Sequence, residues 1–592
     1  MTGPFVLPTS ERLDSRIPPD IAPSDVARSW FDKFSAALES HSPDVANLFL
    51  EDSFWRDLLA LSWDFRTIHG LRNITKYIHD TISSGFRLLS LSLDALRAPA
   101  LQRPFDDIAL LRFSFTFQTA VGKGIGTCNL VNTSGDWKAY TMFTKLEELT
   151  NYPESVGKLR NTSMWHGDWQ TKRVADAEFA NSNPTAVILG AGHVGLDLGA
   201  RLQALGVRTL LIERNSRVGD SWRNRYKSLC LHDSVSTSAY SFPSTWPAYP
   251  AAAKLGDWLE NYARTLELNV WTSSTIRHAK WDESSQMWLL DVQRDGTSRS
   301  LKVKHLMFAT GWGANVPKLP IIADQDKFEG QVLHSTQYRT AEDHLGKKVV
   351  IVGACTSGHD IAYDFSDNDA DVTMFQRSPT MVVGSQTLDK TLLSPLYNED
   401  IPTDIADQIS SSLPFNVSRQ FHRRIFTTVA AVMDKVLLDG LAKVGFKTYL
   451  GPDDSGVMPL VYERGGGYYL DTGASQRIID RKIKLKSGGN IKRFTAHGLE
   501  FSDGSHLDAD LVVFATGYGD PRAMAKEICD PEVFAKLKPL WGLDPEGEVR
   551  SAWRESGHKK LWFAVGHFSM ARIFSKLLAL RIKAEEEGLI RQ

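Results

Sequence analysis

The segment TAVILGAGHVGLDLGARLQALGVRTLLIERN, residues 185–215, constrains this chain more than any other. An apolar run, glycines at 190, 192 and 195, a helix-forming stretch to Gly206 and a second apolar run ending at Glu213 follow in register. That is the strand–turn–helix–strand order of a parallel, doubly wound α/β sheet. Gly190 permits the tight turn, Gly192 lets the backbone approach a pyrophosphate, and Gly195 lets the helix close on the strand. The helix N-terminus adds a partial positive charge. Glu213 stands where it can accept from a ribose diol, with Arg214 beside it, which favours FAD or NAD over NADP. A purely structural glycine turn is the alternative, and four features in register count against it.

A second unit, KKVVIVGACTSGHDIAYDFSDNDADVTMFQRSPT, repeats the design with differences. Gly353 and Gly358 keep the outer positions, Ser357 precedes the last glycine, and Cys355 takes the middle one. Cys355 is expected to fill space; a helix N-terminus lowering its pKa would make it a reactive thiol instead. The second strand ends in Gln376-Arg377-Ser378 with no acid, and a guanidinium there suits a ribose 2′-phosphate, hence NADPH. An arginine solvating a strand end is the plainer reading.

Between the units lies KFEGQVLHSTQYRTA, which matches F-x-G-x-x-x-H-x-x-x-Y through Phe328, Gly330, His334 and Tyr338. The string resembles the fingerprint of flavin-containing monooxygenases of class B, fungal-type and YUCCA-like. Arg339 after Tyr338 departs from the Trp-Pro or Trp-Asp ending of Baeyer–Villiger enzymes and disfavours that branch. Gly219 and Trp222 in RVGDSWRNRY resemble the G-x-x-W segment that the family runs past the flavin edge, which moves the first site toward FAD. Two ATG segments, ending at Gly311 and at Thr516-Gly517, resemble the family's crossings between its FAD and NADPH domains, and Arg572 in the tail is expected to border the flavin. The likeness spans residues 183–592.

The resemblance implies an NADPH- and O2-dependent enzyme, N,N-dimethylaniline monooxygenase-like. NADPH reduces FAD, O2 adds at C4a, and a soft nitrogen or sulfur nucleophile takes one oxygen from the sheltered (hydro)peroxyflavin. In such families the His334 position orders the interdomain segment. Where animal-type members carry Asn–Thr, this chain has His232 and Asp233, a candidate catalytic pair or a turn cap. Alternatives are a YUCCA-like decarboxylation, an N-hydroxylation, a Baeyer–Villiger outcome, or a non-oxygenating scaffold whose N-terminal domain binds the ligand.

That N-terminal part reads differently. Residues 1–23 look extended. From Ser24, expected to cap a helix, Val26, Trp30, Phe34 and Leu38 share one helical face. Segments such as IALLRFSFTFQTA alternate like strands of a curved antiparallel sheet. With FWRD, TIHG and a late Trp-bearing strand, residues 24–149 resemble an NTF2-like (SnoaL-like) α+β cone, a packing, dimerising or binding module. Expected boundaries are a linker at 150–182, an FAD domain at 183–345 and an NADPH domain at 346–510. A helical insertion occupies about 393–460, and the FAD domain closes over 511–592.

Lys+Arg 68 against Asp+Glu 70 leaves a net charge of -2, which disfavours nucleic-acid partners. Four dispersed cysteines and no HxH or HExxH spacing oppose disulfide, CxxC and metal chemistry. Without an apolar leader or membrane-length run, the chain is expected to be cytoplasmic.

Overall fold

The computed structural model describes residues 5–40, 42–164, 167–179, 182–232, 242–312 and 316–590. In the N-terminal unit, helix Pro23–Glu39 buries Ala27, Trp30, Phe31, Phe34 and Ala37. The buried face is thus centred one residue past Val26, which lies with Leu38 at its flanks. Ser24 is not the cap: Ala22 holds that position without a side-chain bond and Pro23 opens the helix. A proline at the first helical position has φ preset and no N–H to satisfy, so no capping side chain is required.

Seven strands follow in one sheet, ordered 65–69, 49–58, 136–149, 122–133, 108–118 and 89–93, with 100–105 also paired to 108–118. All neighbours are antiparallel except Phe49–Leu58, which runs parallel to Asp136–Leu149. The expected all-antiparallel sheet is corrected there: these strands are separated by the rest of the unit, so no hairpin dictates their direction. Trp30, Phe34, Phe49, Trp55, Phe113 and Phe115 fill the concave face. Rings meet at 5.1–6.2 Å, as in Trp30 on Phe34 and Phe34 on Phe49, so aromatic packing takes up this face.

Asp57 sits fully buried at the end of that face. It accepts hydrogen bonds from the Leu61 N–H, Ser62 and Thr144. Burial lifts its carboxyl to about 6, against the pull of those bonds. A folded-state value above the unfolded one means the ionised carboxylate costs stability above pH 6, a cost that fades as pH falls toward 4. Asp57→Asn is therefore expected to raise the first denaturation midpoint more at pH 7.5 than at pH 5, as followed by urea titration.

Two parallel five-stranded sheets are the centre of the rest, with three smaller three-stranded sheets beside them. The first runs 270–271, 209–212, 186–189, 305–308, 561–563; the second runs 331–334, 511–514, 348–352, 371–376, 484–487. Strands Gln331–His334 and Leu511–Phe514 thus lie in the second sheet, across the expected boundaries at 345 and 510. The chain crosses between sheets beside these strands rather than at the expected boundaries. Helix Trp169–Glu178 occupies part of the expected irregular linker. The insertion carries helices Thr403–Ser412, Phe415–Ile425 and Lys435–Lys443. No helix among the described residues is long and apolar enough to cross a membrane.

Charged pairs seat the N-terminal unit on the second half of the chain. Arg56 donates twice to Glu548 at 2.6 and 2.8 Å, and Thr67 donates to the same carboxylate at 2.7 Å. Arg554 reaches back to Asp64 at 2.8 and 3.0 Å.

Candidate active site

The two glycine turns are built alike and show what each glycine is for. A Cβ on Gly190 would sit 2.5 Å from the Ala309 carbonyl oxygen, and one on Gly353 would sit 2.5 Å from that of Ala515. Both residues have left-handed φ, +109° and +123°. Gly195 and Gly358 face the carbonyls of Gly190 and Gly353 at 2.0 and 2.1 Å, distances no side chain tolerates. These four are required by backbone packing. Gly192 is different, because nothing lies within 4 Å of its would-be Cβ. Protein packing leaves that position open, as close approach by a phosphate group needs, and the site therefore fits a dinucleotide. The ATG alanines, read from sequence only as crossings, are the floors under these turns.

Glu213 is nearly buried and accepts from the N–H groups of Ala191 at 2.9 Å and Asn215 at 2.9 Å, which aims its carboxylate at the turn. Arg214 beside it is exposed. Gly219 opens the short helix Asp220–Arg223. Trp222 there packs with Phe568 and His193, ring centroids 5.8 and 6.2 Å away. His193 is buried against Phe568, its Nε2 3.1 Å from the Gly566 carbonyl, and burial lowers its pKa to about 4, so the ring is neutral. The expectation for Arg572 fares differently: it pairs with Asp407 of the insertion at 2.5–2.6 Å. It ties insertion to tail and is not among the residues lining the cleft described next.

A cavity of about 1010 Å³ opens between the two dinucleotide units. Gly353, Cys355, Ser357, Arg377 and Ser378 line it from the second unit, Trp222 and His232 from the first, and Thr516 and Gly517 from the crossing. Gly358 lies behind the turn as a packing residue. Cys355 is pressed into the wall, and burial pushes its thiol up, opposite to the reactive alternative. Lys318 and Arg464 also line the cavity, and sequence reasoning missed both. Among the described residues Lys318, Arg377 and Arg464 form no ion pair, and no aspartate or glutamate lines the cavity. A chamber with three uncommitted cations and no carboxylate suits a polyanion such as a dinucleotide phosphate.

His232 lies 3.2 Å through Nε2 from Asp360 Oδ2, a carboxylate on helix Thr356–Asp367 of the second unit. Tyr226 donates to the same oxygen at 2.6 Å. Asp233 lies outside the described residues; the carboxylate seen on His232 is Asp360, which sequence pairing by adjacency could not find. His334 is buried at the end of its strand, with Nε2 3.1 Å from the Gly517 carbonyl and its N–H donated to Gln337 at 2.9 Å. Tyr338 donates to Asp364 at 2.5 Å. The ring of Phe328 packs over Gly330, leaving no room for a Cβ there. These four residues tie the inter-unit segment to the second sheet. No cluster of metal-ligating side chains occurs among the described residues.

Comparison with known proteins accords with this geometry. The family model described as flavin-binding monooxygenase-like matches residues 210–524, just over half the chain. Probable indole-3-pyruvate monooxygenases YUCCA9 and YUCCA8 of Arabidopsis thaliana are similar at 28% identity over 338 residues and 29% over 340. Each alignment covers 56% of this chain and 74% of the relative. Among solved structures, an open cyclohexanone monooxygenase aligns at 17% identity with a TM-score of 0.48, covering 68% of this chain and 88% of that one. With the family model matching more than half of the chain, the chain belongs to the flavin-binding monooxygenase-like family and is an oxidoreductase of the monooxygenase type.

Proposed function

We propose that this protein is a cytoplasmic, FAD- and NADPH-dependent monooxygenase that delivers oxygen to a soft nitrogen or sulfur nucleophile of a small molecule. The observation that carries the reading is the cation-lined, carboxylate-free cleft between two glycine turns. The turn at Gly190, Gly192 and Gly195, with Glu213 and Arg214, would hold FAD. The turn at Gly353, Cys355, Ser357 and Gly358, with Arg377 and Ser378, would hold NADPH. The chemistry a bound FAD supplies is transfer of electrons from NADPH to O2, one oxygen atom of which goes to the substrate and the other to water.

The chain's own part is binding, orientation and proton handling. His232 Nε2 lies 3.2 Å from Asp360 Oδ2, so a carboxylate of the second unit orients the ring at the cleft wall. His232 thereby serves as the cleft's proton carrier, fixed by a carboxylate from the opposite unit. Asp360 is a positioning residue. Asp360→Asn is expected to cut product formation about 5- to 30-fold, the cost of about 1–2 kcal/mol for a lost charge-assisted hydrogen bond. It should also flatten the pH dependence of that rate between pH 6 and 8. An unchanged pH profile would leave Asp360 a packing residue only.

A second reading draws on the relatives named as indole-3-pyruvate monooxygenases. Lys318 and Arg464 add cations beyond Arg377, enough to hold the carboxylate of a 2-oxo acid as well. The N-terminal unit is read as an NTF2-like cone that buttresses the flavin domain. The deciding experiment incubates the purified, flavin-loaded protein with NADPH, O2 and in turn dimethylaniline, a thioether and indole-3-pyruvate. NADPH loss, hydrogen peroxide and oxygenated product are then quantified. Protein that purifies without flavin, or that leaves NADPH untouched with every substrate, would overturn the reading.

A further inference from the structure

Most glycines of this chain are explained by the chain itself. Among the described glycines, every one but two either takes a positive φ or has another atom within 4 Å of its would-be Cβ. The exceptions are Gly192 and Gly466, where φ is ordinary and the space is open. Neither backbone conformation nor packing asks for glycine at these two positions. What remains is clearance for something that the fold does not itself supply. Gly192 is the middle glycine of the first turn. Gly466 stands in the wall of the cation-lined cleft, two residues past the helix Met458–Arg464.

The second turn lacks the opening that the first one keeps. Gly192 and Cys355 hold the same extended backbone, φ −78° and ψ −177° against φ −106° and ψ −172°, each just before its helix. The Cys355 side chain therefore takes the direction that stands open at Gly192. Gly353 and Gly358 offer no replacement, because backbone fills the space where their Cβ atoms would sit. The segment that carries Gly466 lies against this very turn. Thr356 donates through Oγ1 to the Tyr468 carbonyl at 3.0 Å, and the Gly467 backbone hydrogen-bonds the Cys355 thiol. Gly465, Gly466 and Gly467 line the cleft together with Cys355 and Ser357. Arg464 lines it as well, exposed and in no ion pair among the described residues.

We propose that Arg464–Gly467 is the far wall of the coenzyme's diphosphate site, where Gly466 gives the clearance that Cys355 takes from the turn and Arg464 pairs with a phosphate oxygen. The inference rests on the reading of the second turn as the NADPH site. Gly466 contributes room and not a donor, since its N–H is spent on the Leu460 carbonyl at 3.4 Å. The carbonyl end of helix Met458–Arg464 is the wrong pole for an anion, so the attraction comes from the Arg464 guanidinium. Arg464 then belongs to the coenzyme, which leaves the carboxylate of an acidic substrate to Lys318.

The test is calorimetric titration of flavin-loaded, full-length protein with two probes, NADP+ and adenosine 2′-monophosphate, the second lacking the diphosphate. Oxidised flavin does not turn NADP+ over, so the readout is affinity and not activity. Gly466→Ala is expected to bind NADP+ about tenfold more weakly than wild type, the effect of one methyl group in a filled space. Arg464→Ala should weaken NADP+ about 10- to 100-fold, as loss of a charge-assisted hydrogen bond does. Both variants should hold adenosine 2′-monophosphate within about twofold of wild type. With ordinary φ and open space at 466, Gly466→Ala is expected to melt at or slightly above the wild-type temperature, so weak binding would not report misfolding. NADP+ held as tightly by Gly466→Ala as by wild type overturns the proposal. So does an equal loss for both probes, which would place the disturbance at the adenosine end. Wild type that binds neither probe overturns the NADPH reading and the diphosphate wall with it, and that failure is visible without any variant.

Discussion

Arg377→Ala is expected to raise the KM for NADPH about 10- to 100-fold while leaving that for NADH within about twofold. Such an effect corresponds to about 1.5–3 kcal/mol for a hydrogen-bonded guanidinium–phosphate pair. Arg377 follows the strand Asp371–Gln376, is exposed on the cleft wall, and has no ion-pair partner among the described residues. An arginine that merely solvated a strand end would affect neither coenzyme. One that supported the fold would affect both. Steady-state NADPH and NADH oxidation on the same preparation separates the three cases, and equal KM changes for the two coenzymes would remove Arg377 from the 2′-phosphate site. Lys318 and Arg464 share the cleft, so their alanine variants are expected to weaken both coenzymes, having no reason to distinguish the ribose ends.

Glu548→Ala carries the largest expected effect on stability. The Glu548 and Arg56 side chains are 4% and 12% exposed, and the carboxylate also accepts from Thr67. Removing it leaves a buried guanidinium with only the Ser411 carbonyl. Breaking a buried pair in this way costs about 3–5 kcal/mol. The loss is expected to fall on the seating of the N-terminal unit, seen as an earlier first transition in urea and faster proteolysis between residues 150 and 164. Replacing the pair together, Arg56→Met with Glu548→Leu, is expected to recover most of the loss, since well-packed apolar substitutes need no desolvation. A double variant no better than the single one would show that the geometry of the pair, rather than its buried charge, holds the units together.

How much of this was legible in the sequence depended on range. The glycine turns, the acid at Glu213 and the arginine at position 377 stand within short segments whose order alone specifies strand, turn and helix. The aromatic helix face was readable at Trp30 and Phe34, which are buried, while Val26 and Leu38 lie at its flanks. By contrast, Asp360 sits 128 residues from His232, and only the crossing of two sheets brings them to 3.2 Å. The same is true of the parallel pairing of Phe49–Leu58 with Asp136–Leu149, which no local turn encodes.

Arg572 has a partner that its local sequence did not reveal: its place in a family-like tail suggested the flavin, and the structure pairs its guanidinium with Asp407 of the insertion. The sequence by itself therefore determined the two dinucleotide units, because each is a local periodicity interrupted by glycines at positions where a Cβ would strike backbone. Only the tertiary structure decided which charges are left over. Among the described residues Lys318, Arg377 and Arg464 form no ion pair in the cleft, while Arg56, Arg66 and Arg554 are consumed in seating the N-terminal unit. Sequence lists every charge, but whether one is free to meet a ligand depends on which opposite charge the fold brings within about 3 Å of it.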